Sequence, residues 1–169
     1  TKARLPWLVL ALFGGFISVH VLGIFEPVMK FHPELFFFTP LIAAMAGNVG
    51  VQSSAIIVQG LANNTIIGPV VERLLKELSL SLLNGVILSV ILLAGSYFLL
   101  GYEIHVGYTV SIALLSVIIM ASLIGTFIPI ILNKYGVDPA LATGPFITTS
   151  NDILGILTYF TIAKIILGI

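Results

Sequence analysis

Long apolar runs separated by short polar breaks organise this chain. Five runs, over about 5–25, 36–61, 78–100, 108–132 and 139–167, each reach the roughly 20 residues that a membrane-spanning helix needs. They are continuously apolar instead of alternating in ten-residue segments, so they predict helices and not the strands of a membrane barrel. Pro6 and Pro139 suit first helical positions, Asp138 suits the cap before the last helix, and Trp7 suits an interface. The breaks hold most of the charge. Glu26, Lys30, His32 and Glu34 fall between the first two runs, and Glu72, Arg73, Lys76 and Glu77 between the second and third. Glu103 and His105 follow the third run, and Lys134 and Asp138 flank the last turn. The predicted fold class is all-α integral membrane, with five transmembrane helices in one domain over residues 1–169.

Composition makes lipid the main solvent. Charged residues are 8% of the chain and hydrophobic residues 59%, with a mean hydropathy of +1.19. A soluble domain carries about 25% charged residues. The formal net charge is zero, so no electrostatic footprint for nucleic acid is present. The chain has no cysteine, which excludes disulfides, thiolate metal sites and thiol redox chemistry. Lys2 and Arg4 precede an apolar run of about twenty residues with no clear cleavage site, so this run reads as a span and not a signal peptide. The chain opens on Thr1, and the expectation is that it is the membrane portion of a longer protein. With the N-terminus inside, Lys2, Arg4, Arg73, Lys76 and Lys134 are inside and Lys30 and Lys164 outside. That bias predicts a multi-pass cell-membrane protein with a cytoplasmic N-terminus and an outer C-terminus.

Polar groups within the spans carry the candidate chemistry. In the second helix Asn48 and Gln52 lie about 40° apart with Gln59 between them in angle, and Gly47 and Gly50 are close by. Two readings stay open: a helix seam zipped by amides, or a break whose freed carbonyls coordinate a cation. Pro40 ahead of Asn48, and Pro145 ahead of Asn151 and Asp152, hint at a matching pair of interrupted helices. Elsewhere, Ala121 and Gly125 read as a close helix contact, Asn84 as an interhelical hydrogen bond, and His20 as a polar tip at the interface.

The fifth helix is more telling. Asp152 lies thirteen residues past Pro139, about 20 Å along the helix and near mid-membrane. A central Asp costs about 2.5–3.5 kcal/mol to insert, and no Lys or Arg of the chain reaches that depth. Gly144, Thr148, Asp152, Gly155 and Tyr159 form one stripe within about 80° on the helical wheel. Pro145 also frees the carbonyl of Leu141. The partner expected for Asp152 is therefore a mobile cation or water. One carboxylate with hydroxyls and carbonyls is an all-oxygen site for a hard cation. Mg²⁺, which keeps waters and is held by one or two carboxylates, is weakly favoured, and Mn²⁺ or other divalent ions fit similar ligands. A symmetric dimer is the simplest way for five spans to frame a pore.

Residues 47–52, reading Gly-Asn-Val-Gly-Val-Gln, resemble the MgtE family of magnesium channels and transporters. So do Asp138 to Ala142, Gly144 to Thr149 and Asp152, in this order and spacing. The resemblance implies a homodimer in the lipid bilayer, with the ion path on its two-fold axis between the second and fifth helices. It implies that Asp152 faces a largely hydrated Mg²⁺, with Thr148 offering its backbone carbonyl and Gly144 beside the ion. The pore lining then takes in Asn48, Gln52, Gly47, Gly50, Pro145, Thr149, Asn151 and Gly155. Cytosolic sensor domains ahead of this region are also implied, as parts of the same full-length chain. Asn151 and Gly144 depart from the residues expected at those positions.

Three alternatives compete with a dimeric Mg²⁺ channel. An exchanger coupling Mg²⁺ to Na⁺ or H⁺ would need a second ion site. A membrane scaffold would bury Asp152 neutral. An intramembrane enzyme is not expected, because an aspartyl protease needs two deep acids and His-Glu-x-x-His is absent.

Overall fold

The structure, a computed structural model, describes residues 5–66 and 68–168, with the side chains of all of these except 141–143. Lys2 and Arg4, which enter the orientation count, lie outside the described residues. Six helices follow one another: α1 (Leu5–Ile24), α2 (Glu26–Phe31), α3 (Glu34–Ala62), α4 (Val70–Phe98), α5 (Ile104–Lys134) and α6 (Pro139–Leu167). Five of them, all but α2, are long and apolar enough to cross a membrane. The all-helical, five-span expectation therefore stands.

α5 is the centre of the bundle. It packs against α3, α4 and α6, while α1 lies on the outside against α6. Its length is matched by small or slim residues at the contacts. Ala113, Val117, Ala121, Ser122 and Thr126 are all essentially inaccessible. Ala121 and Gly125 make the expected close contact: the Gly125 Cα faces the Gly50 carbonyl of α3, leaving no room for a Cβ. In a lipid solvent such backbone proximity supplies much of the helix–helix attraction. Apolar side chains such as Leu8, Leu12, Phe16, Leu83 and Ile91 point outward, as lipid contact requires.

Four expectations change. The first break contains a helix, α2, where a connection was expected. Pro27 fits its first turn, and a Glu26–Lys30 ion pair of 2.9 Å spans it. Glu72, Arg73, Lys76 and Glu77 lie in the first two turns of α4 instead of a loop, because the helix starts at Val70 directly after Pro69. Glu34 likewise lies in the first turn of α3, and His105 in the first turn of α5. Finally, neither α3 nor α6 is interrupted: both run continuously through Pro40 and Pro145. The Thr148 hydroxyl bonds the carbonyls of Gly144 and Pro145 at 3.1 and 3.2 Å, one of the ways a membrane helix tolerates an internal proline.

Candidate ion site between the second and fifth spans

α6 is positioned from both ends. Asp138 caps it, accepting from the Ala140 amide at 2.9 Å, with Pro139 in the first helical position. Near the other end the buried Tyr159 hydroxyl donates to the Leu35 carbonyl at 2.9 Å, tying α6 to the start of α3. Phe160 stacks on Phe25, with ring centroids 5.4 Å apart. Midway, the buried Asn151 amide donates to the Ala46 carbonyl at 3.1 Å. Gly50 makes room for this bond, since a Cβ there would overlap the Asn151 side chain. These contacts fix the rotation of α6 against α3.

That rotation turns Asp152 the other way. With Asn151 facing inward, the next residue, 100° around the helix, reaches an open groove along the α3–α6 seam. The groove encloses about 580 Å³ and is lined by Ala43, Ala44, Gly47, Asn48, Val51 and Gln52 from α3, with Thr148 and Asp152 from α6. Its small residues leave space, and its polar ones present oxygen: a carboxylate, a hydroxyl and two amides. Because the Thr148 proton is directed to backbone carbonyls, the hydroxyl oxygen keeps lone pairs free for an ion or water. No Lys or Arg lines the groove among the described residues. The space accommodates a cation with several waters, at about 30 Å³ per water in the liquid.

The sequence-predicted residues divide between this groove and other places. Asp152, Thr148, Asn48, Gln52 and Gly47 come together in it. Gly144 is exposed on the same helix one turn before Thr148, with open space where a Cβ would be. Gly50 and Asn151 meet each other in the protein interior. Gly155 is buried against Ala46, and Thr149 turns to Gly14 of α1. Pro145 is half-buried beside Phe146, whose ring meets Trp7 edge-on at 6.0 Å. The predicted stripe thus does not stay in one environment: Gly144 and Thr148 are exposed and Asp152 is half-buried, whereas Gly155 and Tyr159 are buried. Gln59 is exposed but away from the groove, as is His20. Sequence reasoning missed a second polar pocket beside Glu77.

The fold and the groove together define a multi-pass helical membrane protein with an acid facing a polar cleft at mid-span. The chain belongs to the MgtE family, described as divalent cation transporters, which it matches over residues 39–162. It is 42% identical over 161 residues to a magnesium transporter MgtE of Bacillus subtilis, an alignment covering 95% of this chain. It is 33% identical over 166 residues to one from Thermus thermophilus, covering 98% of this chain, and 35% identical over 164 residues to one from Enterococcus faecalis, covering 95%. The chain spans 36% of the length of each of these relatives.

Proposed function

We propose that this chain forms the ion path of a Mg²⁺ transport protein that works as a homodimeric channel. In this reading the α3–α6 grooves of two copies face each other across a two-fold axis. Two Asp152 carboxylates then hold one largely hydrated Mg²⁺ between them. The observation that carries the reading is the Asp152 groove: a carboxylate at mid-span, open to a polar cleft, with oxygen ligands around it and no basic side chain lining it. A carboxylate in that position has its charge balanced most readily by a mobile cation. The magnesium transporter relatives support Mg²⁺ as the ion carried.

The physical roles follow from the residues. Asp152 supplies the charge, and across the axis two carboxylates suit an ion that dehydrates reluctantly and keeps its waters. Thr148, Asn48 and Gln52 accept hydrogen bonds from those waters or coordinate through oxygen. Gly47, Ala43 and Ala44 keep the passage wide enough for the hydration shell. Gly144, exposed one turn before Thr148, leaves the approach to the ion unobstructed. Other hard divalent ions such as Mn²⁺ fit the same ligands. The N-terminus faces the cytoplasm and the C-terminus the outside, on the Lys and Arg distribution. Sensor domains of the same full-length chain occupy the cytoplasmic side.

The test is Mg²⁺ uptake by the full-length protein carrying Asp152→Asn or Asp152→Ala. Both substitutions are expected to reduce uptake to background while the protein retains its thermal stability in metal-free buffer. Uptake near the wild-type level in both variants would sink the reading. Ohmic single-channel Mg²⁺ currents are the expected electrical signature, and a fixed coupling to Na⁺ or H⁺ would reject the channel in favour of an exchanger.

A further inference from the structure

A second polar pocket lies in the same bundle, between α3, α4 and α5. It encloses about 150 Å³, is more enclosed than the Asp152 groove, and its polar lining consists of Gln52, Ser53, Glu77, Ser81, Asn84 and Ser122. Glu77, Ser81 and Asn84 recur at i, i+4 and i+7, so α4 turns one polar face toward α3 and α5. Glu77 is half-buried and accepts the Ser53 hydroxyl at 2.5 Å. This is not the solvated charge of a loop.

The direction of each hydroxyl proton decides what the pocket can hold. Ser53 gives its proton to Glu77, Ser81 gives its own to the Leu78 carbonyl at 3.0 Å, and Ser122 gives its own to the Ile119 carbonyl at 3.0 Å. With those protons committed, three hydroxyl oxygens keep free lone pairs. The Glu77 carboxylate adds further acceptor oxygens and one negative charge, and the Gln52 and Asn84 amides each add a carbonyl. No Lys or Arg lines the pocket among the described residues. A pocket rich in acceptors and carrying a net negative charge is complementary to a hard cation. Its volume has room for an ion and a few waters, so the ion would meet the carboxylate more closely than in the Asp152 groove.

Gln52 lines both cavities and lies between them. Asn151, adjacent to Asp152, sits between the levels of Ala46 and Gly50, and Ser53 is three to seven residues further along α3, about 5–10 Å away along the helix axis. We propose that Glu77, with Ser53 and Ser81, forms a second divalent-cation site, a stop on the same path one to two turns from Asp152 toward the α3–α4 connection. The inference rests on the reading of the Asp152 groove as an ion path.

The experiment counts Mn²⁺ bound to the full-length protein by electron paramagnetic resonance, with Mn²⁺ as the probe. Glu77→Gln keeps the shape and an acceptor for Ser53 while removing the charge and one acceptor oxygen, so a purely structural role would leave the Mn²⁺ count unchanged. The expected result is a loss of about one Mn²⁺ per protomer relative to wild type, and displacement of that ion by excess Mg²⁺. An unchanged count in E77Q overturns the proposal, and so does an ion at Glu77 that Na⁺ displaces and Mg²⁺ does not. Asp152→Asn separates the two readings: if it loses no Mn²⁺ while E77Q does, the Asp152 reading fails and the Glu77 site stands. A wild-type measurement covers a variant that does not fold. Anomalous diffraction from crystals at saturating Mn²⁺ should place a peak beside the Glu77 carboxylate, and a pocket without one overturns the proposal.

Discussion

Asn151 and Asp152 are consecutive on α6 yet belong to two different regions. Asn151 is fully buried where α3, α5 and α6 converge, bonded to the Ala46 carbonyl and seated over Gly50, which in turn touches Gly125. Asp152 looks into an open cleft with Thr148, Asn48 and Gln52. The two regions draw on the same residue vocabulary of amides, glycines, alanines and a hydroxyl. In the first, small residues bring backbones together and the amide locks the rotation of the helices. In the second, small residues keep space open and polar atoms remain free. What separates the two uses is 100° of helix rotation. The tight junction is what fixes that rotation, so packing in the first region aims the chemistry of the second.

Substitutions that break the junction should have the largest effect on stability. Gly125→Ala forces a methyl against the Gly50 carbonyl, where backbone meets backbone and no flexible side chain can yield. A loss of about 1–3 kcal/mol or more is expected, read as a lower unfolding midpoint in detergent. Unchanged stability would mean that α3 and α5 are not in this close contact. Asn151→Ala comes next. It removes the amide donor to Ala46 and should cost about 1–2 kcal/mol, while leaving Mg²⁺ uptake measurable. Uptake abolished in a stably folded Asn151→Ala would move that residue from the junction to the ion path. Gly47→Ala should have the smallest effect on stability, within about 1 kcal/mol of wild type and in the stabilising direction if helix propensity decides. Nothing lies within 4 Å of where its Cβ would stand. The methyl would instead enter the groove, so uptake should fall severalfold with the fold intact. Unimpaired uptake would argue against a path along this face of α3.

Much of the architecture was legible because long apolar runs leave few alternatives in lipid. All five spans were anticipated, and the last one from Pro139 to Leu167 on its cap and first-position proline. The ends were harder. Arg73 and Lys76 read as loop charges, yet long basic side chains near a helix end can reach the interface while the backbone remains helical, so α4 begins at Val70. That misplacement also hid Glu77, whose spacing from Ser81 and Asn84 was the available signal. At the site, Asp152 and Thr148 share one face of α6, and Asn48 and Gln52 one face of α3, as periodicity suggested, and the two faces meet as the resemblance implied. Gly50, Gly155, Thr149 and Asn151 went elsewhere. The wheel gives angles within one helix but not how two helices are rotated against each other. Tertiary contacts such as the Asn151–Ala46 and Tyr159–Leu35 bonds and the Gly50–Gly125 approach settle that.

The most direct measurement is the position of a bound ion in the full-length protein at saturating Mg²⁺ or Mn²⁺. One ion is expected on the two-fold axis between two Asp152 carboxylates. Its distance from the carboxylate oxygens should exceed the roughly 2.1 Å of direct coordination, because waters intervene. A groove without an ion under those conditions, or Asp152 carboxylates of the two copies facing away from a shared axis, would contradict it.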